Sequence, residues 1–158
     1  MKKLLVLLVV LLIFTYLVSC QSKETESLEI VFNEIVLILP YNWLGNYTSY
    51  QELIREGDAT ADFIWIYHNK TRELLPDGGE LFCISRRTGH VPQEEIEEWA
   101  GNSEVLYVTE DYTYILSIPT DVQYLTPNYD EYNKNIADEY YTLAEQLPEI
   151  KTSVKNFK

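Results

Sequence analysis

Cysteine is nearly absent: the 158 residues hold only Cys20 and Cys83, too few for the disulfide framework that staples many small secreted domains. Histidine is as sparse, with His68 inside the apolar run DFIWIYH and His90 in the loop RRTGHVPQ, and neither has a partner that its sequence neighbours identify. The chain also lacks a G-x-S-x-G elbow, a P-loop, an H-E-x-x-H pair and a C-x-x-C pair, which together weigh against the common hydrolase, nucleotidase and metalloprotease classes. No internal repeat is visible. Positive charge is short too, with 12 Lys and Arg against 25 Asp and Glu. Such an excess of negative charge repels nucleic acid and anionic headgroups, and leaves cationic partners or plain solubility as its meaning. The carboxylate pairs Glu94-Glu95, Glu97-Glu98 and Glu110-Asp111 lack EF-hand spacing and read as solvated faces rather than acid–base or cation sites.

What is present begins with a leader. Met1, Lys2 and Lys3 precede an apolar run from Leu4 to Val18, and Ser19-Cys20 ends it; that is the pattern of a secretory signal. An uncleaved anchor is the alternative, but a span needs about 20 apolar residues, and no basic stop-transfer cluster follows. Leu17, Val18, Ser19 and Cys20 resemble the lipobox of bacterial lipoproteins. The resemblance implies that residues 1–19 are removed and that Cys20 is lipidated, fixing the chain to the cell membrane facing outside the cytoplasm. Two or more acyl chains anchor stably where one holds only marginally. Residues 20–27, with QSKETES after the cysteine, offer nothing apolar to bury and read as a flexible tether. Without Lys2 and Lys3 the mature chain has 10 basic residues against 25 acidic, a formal charge of −15. With Cys20 acylated, Cys83 has no partner in the chain and reads as a small core residue; a catalytic thiolate would need a base or helix N-terminus beside it.

Residues 28–158 read as a single domain. LEIVF (28–32) alternates and EIVLILP (34–40) is almost continuously apolar, predicting a half-exposed and a buried strand joined at Asn33. YNWLGN supplies a turn, YTSYQEL a returning strand, and DFIWIYH (62–68) an internal one. PDGGE turns into the strand LFCISR, and PQEEIEEWA (92–100) predicts a short helix with acids in its first turn. EVLYVT and YTYILSI predict an antiparallel pair through Glu110-Asp111. Tyr129, Tyr132, Ile136, Tyr140, Leu143 and Leu147 fall at spacings of 3 and 4, predicting a long helix packed on the sheet, capped by Asn128 with Glu131 and stopped by Pro148. The fold class is α+β: a mostly antiparallel sheet with a long C-terminal helix and a short additional helix.

Thirteen tyrosines and three tryptophans stand out. Trp65, in the middle of a strand, reads as core. Trp43 and Trp99, in a turn and at a helix end, are open between core packing and contact with a ligand or partner. In IPTDVQY (118–124), Thr120 or Asp121 can bond backbone groups in a turn and Gln123 can pin a neighbouring loop; the other reading makes Thr120 and Asp121 ligand contacts.

LPYNWLGNY (39–47), IYHN (66–69), GGELFCI (78–84) and PTDVQ (119–123), in that order, resemble an uncharacterised family of secreted proteins and lipoproteins from Gram-positive bacteria. Leu-Pro followed by Trp is also loosely similar to the opening of PsbP-like and Mog1-like domains, which are binding or assembly modules. The resemblance implies an envelope location and a compact α+β domain, with no activity attached. The expectation is therefore a membrane-anchored, non-enzymatic module that binds an envelope protein, peptide or small ligand, with no cofactor, no metal and no nucleic acid. The alternative is a small extracytoplasmic hydrolase, which would need a histidine within hydrogen-bonding reach of a nucleophile or an acid.

Overall fold

The computed structural model describes residues 28–56, 59–99, 101–121, 123 and 131–157, and for 56, 59, 60, 131 and 132 the backbone alone. The leader, the tether, Cys20, Asn128 and Tyr129 lie outside the described residues.

The architecture is α+β with two antiparallel sheets. β1 (Leu28–Phe32) and β2 (Ile35–Leu39) form a hairpin through Asn33, whose φ of 54° is the left-handed conformation that asparagine tolerates better than most residues. A two-residue strand, β8 (Lys155–Asn156), pairs with the other edge of β2 and completes a three-stranded sheet. The second sheet has the order β3-β4-β5-β7-β6, built from β3 (Tyr47–Glu56), β4 (Ala59–His68), β5 (Glu80–Thr88), β6 (Asn102–Val108) and β7 (Tyr112–Ile118). Among the described residues, four α-helices and a 3-10 turn at Tyr41–Trp43 fill the connections: α1 (Asn69–Leu74), α2 (Gln93–Glu97), α3 (Glu131–Ala144) and α4 (Leu147–Ser153).

Strand alternation decides which face is core. Ile30 and Phe32 of β1 stand opposite Leu37 and Ile35 of β2, and all four are buried. On the core face of β4 the buried residues are Ile64, Ile66 and His68; Ile84 and Phe82, the register partners of the two isoleucines on β5, are buried as well. These two faces, Trp43 and the helical stripe of Tyr140, Leu143, Leu147 and Ile150 form one core. Each fully buried aliphatic or aromatic side chain stabilises it by about 1.5–3 kcal/mol. The two sheets are also tied by charge. Arg86 of β5 donates to Glu34, at the hairpin turn, at 3.1 Å and to Asp62 of β4, while the Tyr114 hydroxyl of β7 donates to Glu34. That hydrogen bond and Arg86 hold the Glu34 carboxyl below its ordinary pKa against the opposing effect of burial. Burial, followed by the bond to Glu34, pushes the Tyr114 hydroxyl up to about 12.

Several expectations need correction. Pro148 does not stop the helix: it lies in the first turn of α4, where its missing N–H and fixed φ are tolerated, so the helical segment bends and continues. Trp65 is not core. It projects from the face of β4 opposite Ile64 and Ile66 and is partly exposed. Helix α1 and strand β8 were not anticipated, and the strands divide into two sheets.

Candidate functional site

β7 ends at Ile118, and the following Pro119, Thr120 and Asp121 form one wall of an open cleft of about 380 Å³. Asp77, Glu80, Ser103 and Ser117 line it as well. Thr120 and Asp121 are exposed. Behind them Gln123, only 8% exposed, fastens the segment to the start of β5. Its side-chain oxygen accepts the Glu80 N–H at 3.2 Å and its backbone oxygen accepts the Gly79 N–H at 2.8 Å. Its amide nitrogen donates to the Asp121 carboxylate at 2.6 Å. Gln123 thus pins the neighbouring loop, and Asp121 orients Gln123 while keeping an exposed side chain.

The approach depends on the glycine pair. A Cβ at Gly78 would stand 2.5 Å from the Leu75 side chain and 3.1 Å from the Gln123 oxygen. Gly79 has φ of 80°, and a Cβ there would press on the backbone of His68 and Arg72 at 3.1 Å. The reason for two glycines before the Glu80 strand is therefore contact as well as turning. Burial, reinforced by the Asp121 charge and opposed by Arg72, raises the Glu80 carboxyl above its ordinary pKa. The cleft can accept hydrogen bonds and favours cationic over anionic groups. Among the described residues, no group of three or more His, Cys, Asp or Glu side chains could hold a metal ion.

His68 closes β4 and precedes α1. Its ring is wholly buried, with Nδ1 2.8 Å from the Thr71 hydroxyl and Nε2 3.0 Å from the Glu139 carboxylate of α3. Lys70 donates to the other Glu139 oxygen at 2.6 Å. With Nε2 protonated, the neutral ring donates to Glu139 and accepts from Thr71, so every polar atom of the ring has a partner. A histidine within reach of both a hydroxyl and an acid meets the geometric requirement for a hydrolase. Access does not follow, because His68 is 0% and Thr71 1% exposed. Together these contacts fasten α1 to α3, and Lys70 and His68 hold the Glu139 carboxyl below its ordinary pKa against burial. His90 is different: it is exposed, and its Nε2 lies 3.1 Å and 3.2 Å from the backbone oxygens of Thr109 and Glu110. Cys83 is buried, and burial followed by the Glu80 charge pushes its thiol up to about 12, so it is protonated at neutral pH.

The two tryptophans left open part company. Trp43 is 0% exposed, donates from Nε1 to the Gln146 oxygen at 2.7 Å, and packs edge-on to Tyr47. It is a core residue and presents no surface to a partner. Trp99, just after α2, is partly exposed with the Arg87 guanidinium 5.7 Å from its ring. Arg87 was not singled out from the sequence, nor were Tyr50, Phe63 and Glu139. A strand with aromatic residues at 63, 65 and 67 on one face of its alternation was the available signal.

Compared with known proteins, the chain matches no family model, no curated protein and no solved structure.

Proposed function

We propose that the chain is a bacterial envelope lipoprotein, anchored through an acylated Cys20 on the outer side of the cytoplasmic membrane, whose domain is a non-enzymatic binding module. Its partners are an envelope protein, a peptide or a small ligand, with no cofactor and no nucleic acid. The Leu-Val-Ser-Cys ending of the leader supports the address. The observation that carries the binding reading is the cleft beside Pro119, where Thr120 and Asp121 are exposed over a backbone that Gln123 and the glycine pair hold in place. Recognition sites are concave and place a few polar side chains on a rigid support. Incorporation of labelled fatty acid tests the address: it is lost in Cys20→Ala, and unchanged labelling refutes the anchor.

His68, Thr71 and Glu139 favour a second reading, a small extracytoplasmic hydrolase. There Thr71 would attack a carbonyl carbon while His68 takes its proton and Glu139 holds the ring, the arrangement general to such nucleophiles. A carbonyl has to reach Thr71, which is 1% exposed, so this reading requires α1 to open. The readings separate on one comparison: ester or amide hydrolysis by the wild-type chain that vanishes in Thr71→Val supports the hydrolase, and turnover absent from both leaves the binding module.

A further inference from the structure

The face of the larger sheet turned away from the core is covered unevenly. Over β6 and β7, helix α2 covers it: Ile96 and Ile115 are buried, and Gln93 accepts the Val105 N–H at 2.8 Å. Over β3 and β4 it carries a row of aromatic rings. Phe63 and Trp65 stack at 5.1 Å with 14° between their planes, and Tyr50, 51% exposed, follows 5.9 Å from Trp65. At the β5 end of this row stands Arg87, with Phe63 at 5.5 Å and Trp99 at 5.7 Å from its guanidinium carbon.

Arg87 differs from its neighbour. Arg86 is paired with Glu34 and Asp62. The Nε of Arg87 is buried without a hydrogen-bond partner, and among the described residues no carboxylate lies within ion-pair reach of its guanidinium. In a chain with 25 acidic residues against 12 basic ones, a half-buried cation with no acid beside it among the described residues is an unmet demand, because cation–π contacts offset only part of the loss of solvation. Arginine, tryptophan and tyrosine gathered on one surface are also the residue types that dominate binding energy at interfaces.

We propose that this face binds the C-terminal end of a peptide finishing in an aromatic or large apolar residue, its carboxylate paired with Arg87 and its side chains laid along Phe63, Trp65 and Tyr50. The order of the groups selects a chain end. Arg87 stands at the Phe63 end of the row and Trp99, just after α2, lies on its other side, where α2 packs on β6 beyond β5; Arg72 of α1 is stacked on Tyr67 at 3.6 Å. A ligand therefore has its anion at its terminus and its apolar part running one way. The acidic character of the whole chain disfavours a partner with many acids and tolerates one carrying a single terminal carboxylate. This surface is separate from the cleft at Asp121, so it stands or falls independently of that site.

The test uses the full chain in nonionic detergent, with N-acetyl-phenylalanine and N-acetyl-phenylalaninamide as probes and the arginine Nε resonances together with tryptophan fluorescence as readouts. The acid binds the wild-type chain at least about fivefold more tightly than the amide and shifts the Arg87 Nε signal. In Arg87→Gln the ratio falls to about one, whereas Tyr50→Ala weakens acid and amide alike. Equal binding of acid and amide by the wild type, or a preference for the acid that survives in Arg87→Gln, overturns the proposal; the wild-type comparison decides even if the variant does not fold. Acetyl-Phe-Glu-Phe-amide, an internal acid, binds no better than the phenylalaninamide, and binding equal to the free acid overturns the assignment to a chain end.

Discussion

Replacing Gln123 by alanine removes the side chain on which the Pro119 cleft rests. The Glu80 N–H loses its acceptor and Asp121 loses its donor, while the backbone bond between the Gly79 N–H and the Gln123 oxygen survives. A buried donor left unsatisfied costs about 1–3 kcal/mol, and the lost burial of the γ-methylene adds about 0.8 kcal/mol, so Gln123→Ala is destabilised by about 2–4 kcal/mol. Asp121→Ala loses only the bond to the Gln123 amide, at a site where Asp121 is exposed and water can replace it. It also relieves Glu80 of a neighbouring negative charge. The loss at Asp121 is then within about 1 kcal/mol, the ordinary net value of one hydrogen bond. Thermal unfolding separates the two, since each kcal/mol moves the midpoint by about 2–4 °C in a chain near this size. In the double variant the Asp121 change adds nothing further, because its partner is gone. An Asp121→Ala midpoint as low as that of Gln123→Ala, or strict additivity, refutes the assignment of the scaffold to Gln123 and of the exposed function to Asp121.

Other expectations follow from the same contacts. Trp43→Ala leaves a large cavity and removes one of the two donors to the Gln146 oxygen, the Asn42 amide keeping the other, and costs about 3–5 kcal/mol in urea unfolding. Cys83 does not react with a thiol reagent at neutral pH in the native chain and reacts once urea exposes it, because burial holds it protonated. The carboxyls of Glu34 and Glu139 have folded pKa values below their ordinary ones. The stability they contribute is present above the ordinary glutamate range and is lost as pH falls through their folded values, so Glu139→Gln flattens the acid limb of the stability curve. Glu80 has the opposite sign: its raised folded pKa means that the charged form opposes folding, so Glu80→Gln stabilises at neutral pH and the gain disappears as pH falls below the ordinary glutamate value.

How far the sequence could be read depends on whether local pattern or distant partners decide each element. Ile136, Tyr140, Leu143 and Leu147 repeat with the helical period, and all four are buried. The hairpin at Asn33 and the pair β6–β7 were legible for the same reason, since alternation is a local property. Helix α1 was not, because NKTREL has no apolar stripe. It is held by Thr71 under His68, by Glu139 some 70 positions away and by the glycine turn at 78–79. The division into two sheets was hidden because strands of either sheet show the same alternation. Trp43 illustrates the limit at single residues. A tryptophan in a turn leaves core packing and partner contact both open, and Gln146, 103 positions later, supplies the acceptor that lets its indole be buried whole. Of the cleft, the role of Gln123 was visible in PTDVQ, whereas its partners at 79 and 80 were set by tertiary approach. Arg87 was illegible, since what distinguishes it, a guanidinium with no carboxylate in ion-pair reach among the described residues, is set by tertiary approach.

The central claim is that the exposed residues beside Pro119 meet a partner in the envelope. A photo-crosslinking amino acid placed at Thr120, and as a control at exposed Lys134 on α3, measures this in intact cells. The account predicts a discrete crosslinked species from position 120 that is absent from position 134 and is lost when Asp121 is replaced by arginine; an identical pattern from both positions, or none from position 120, contradicts it.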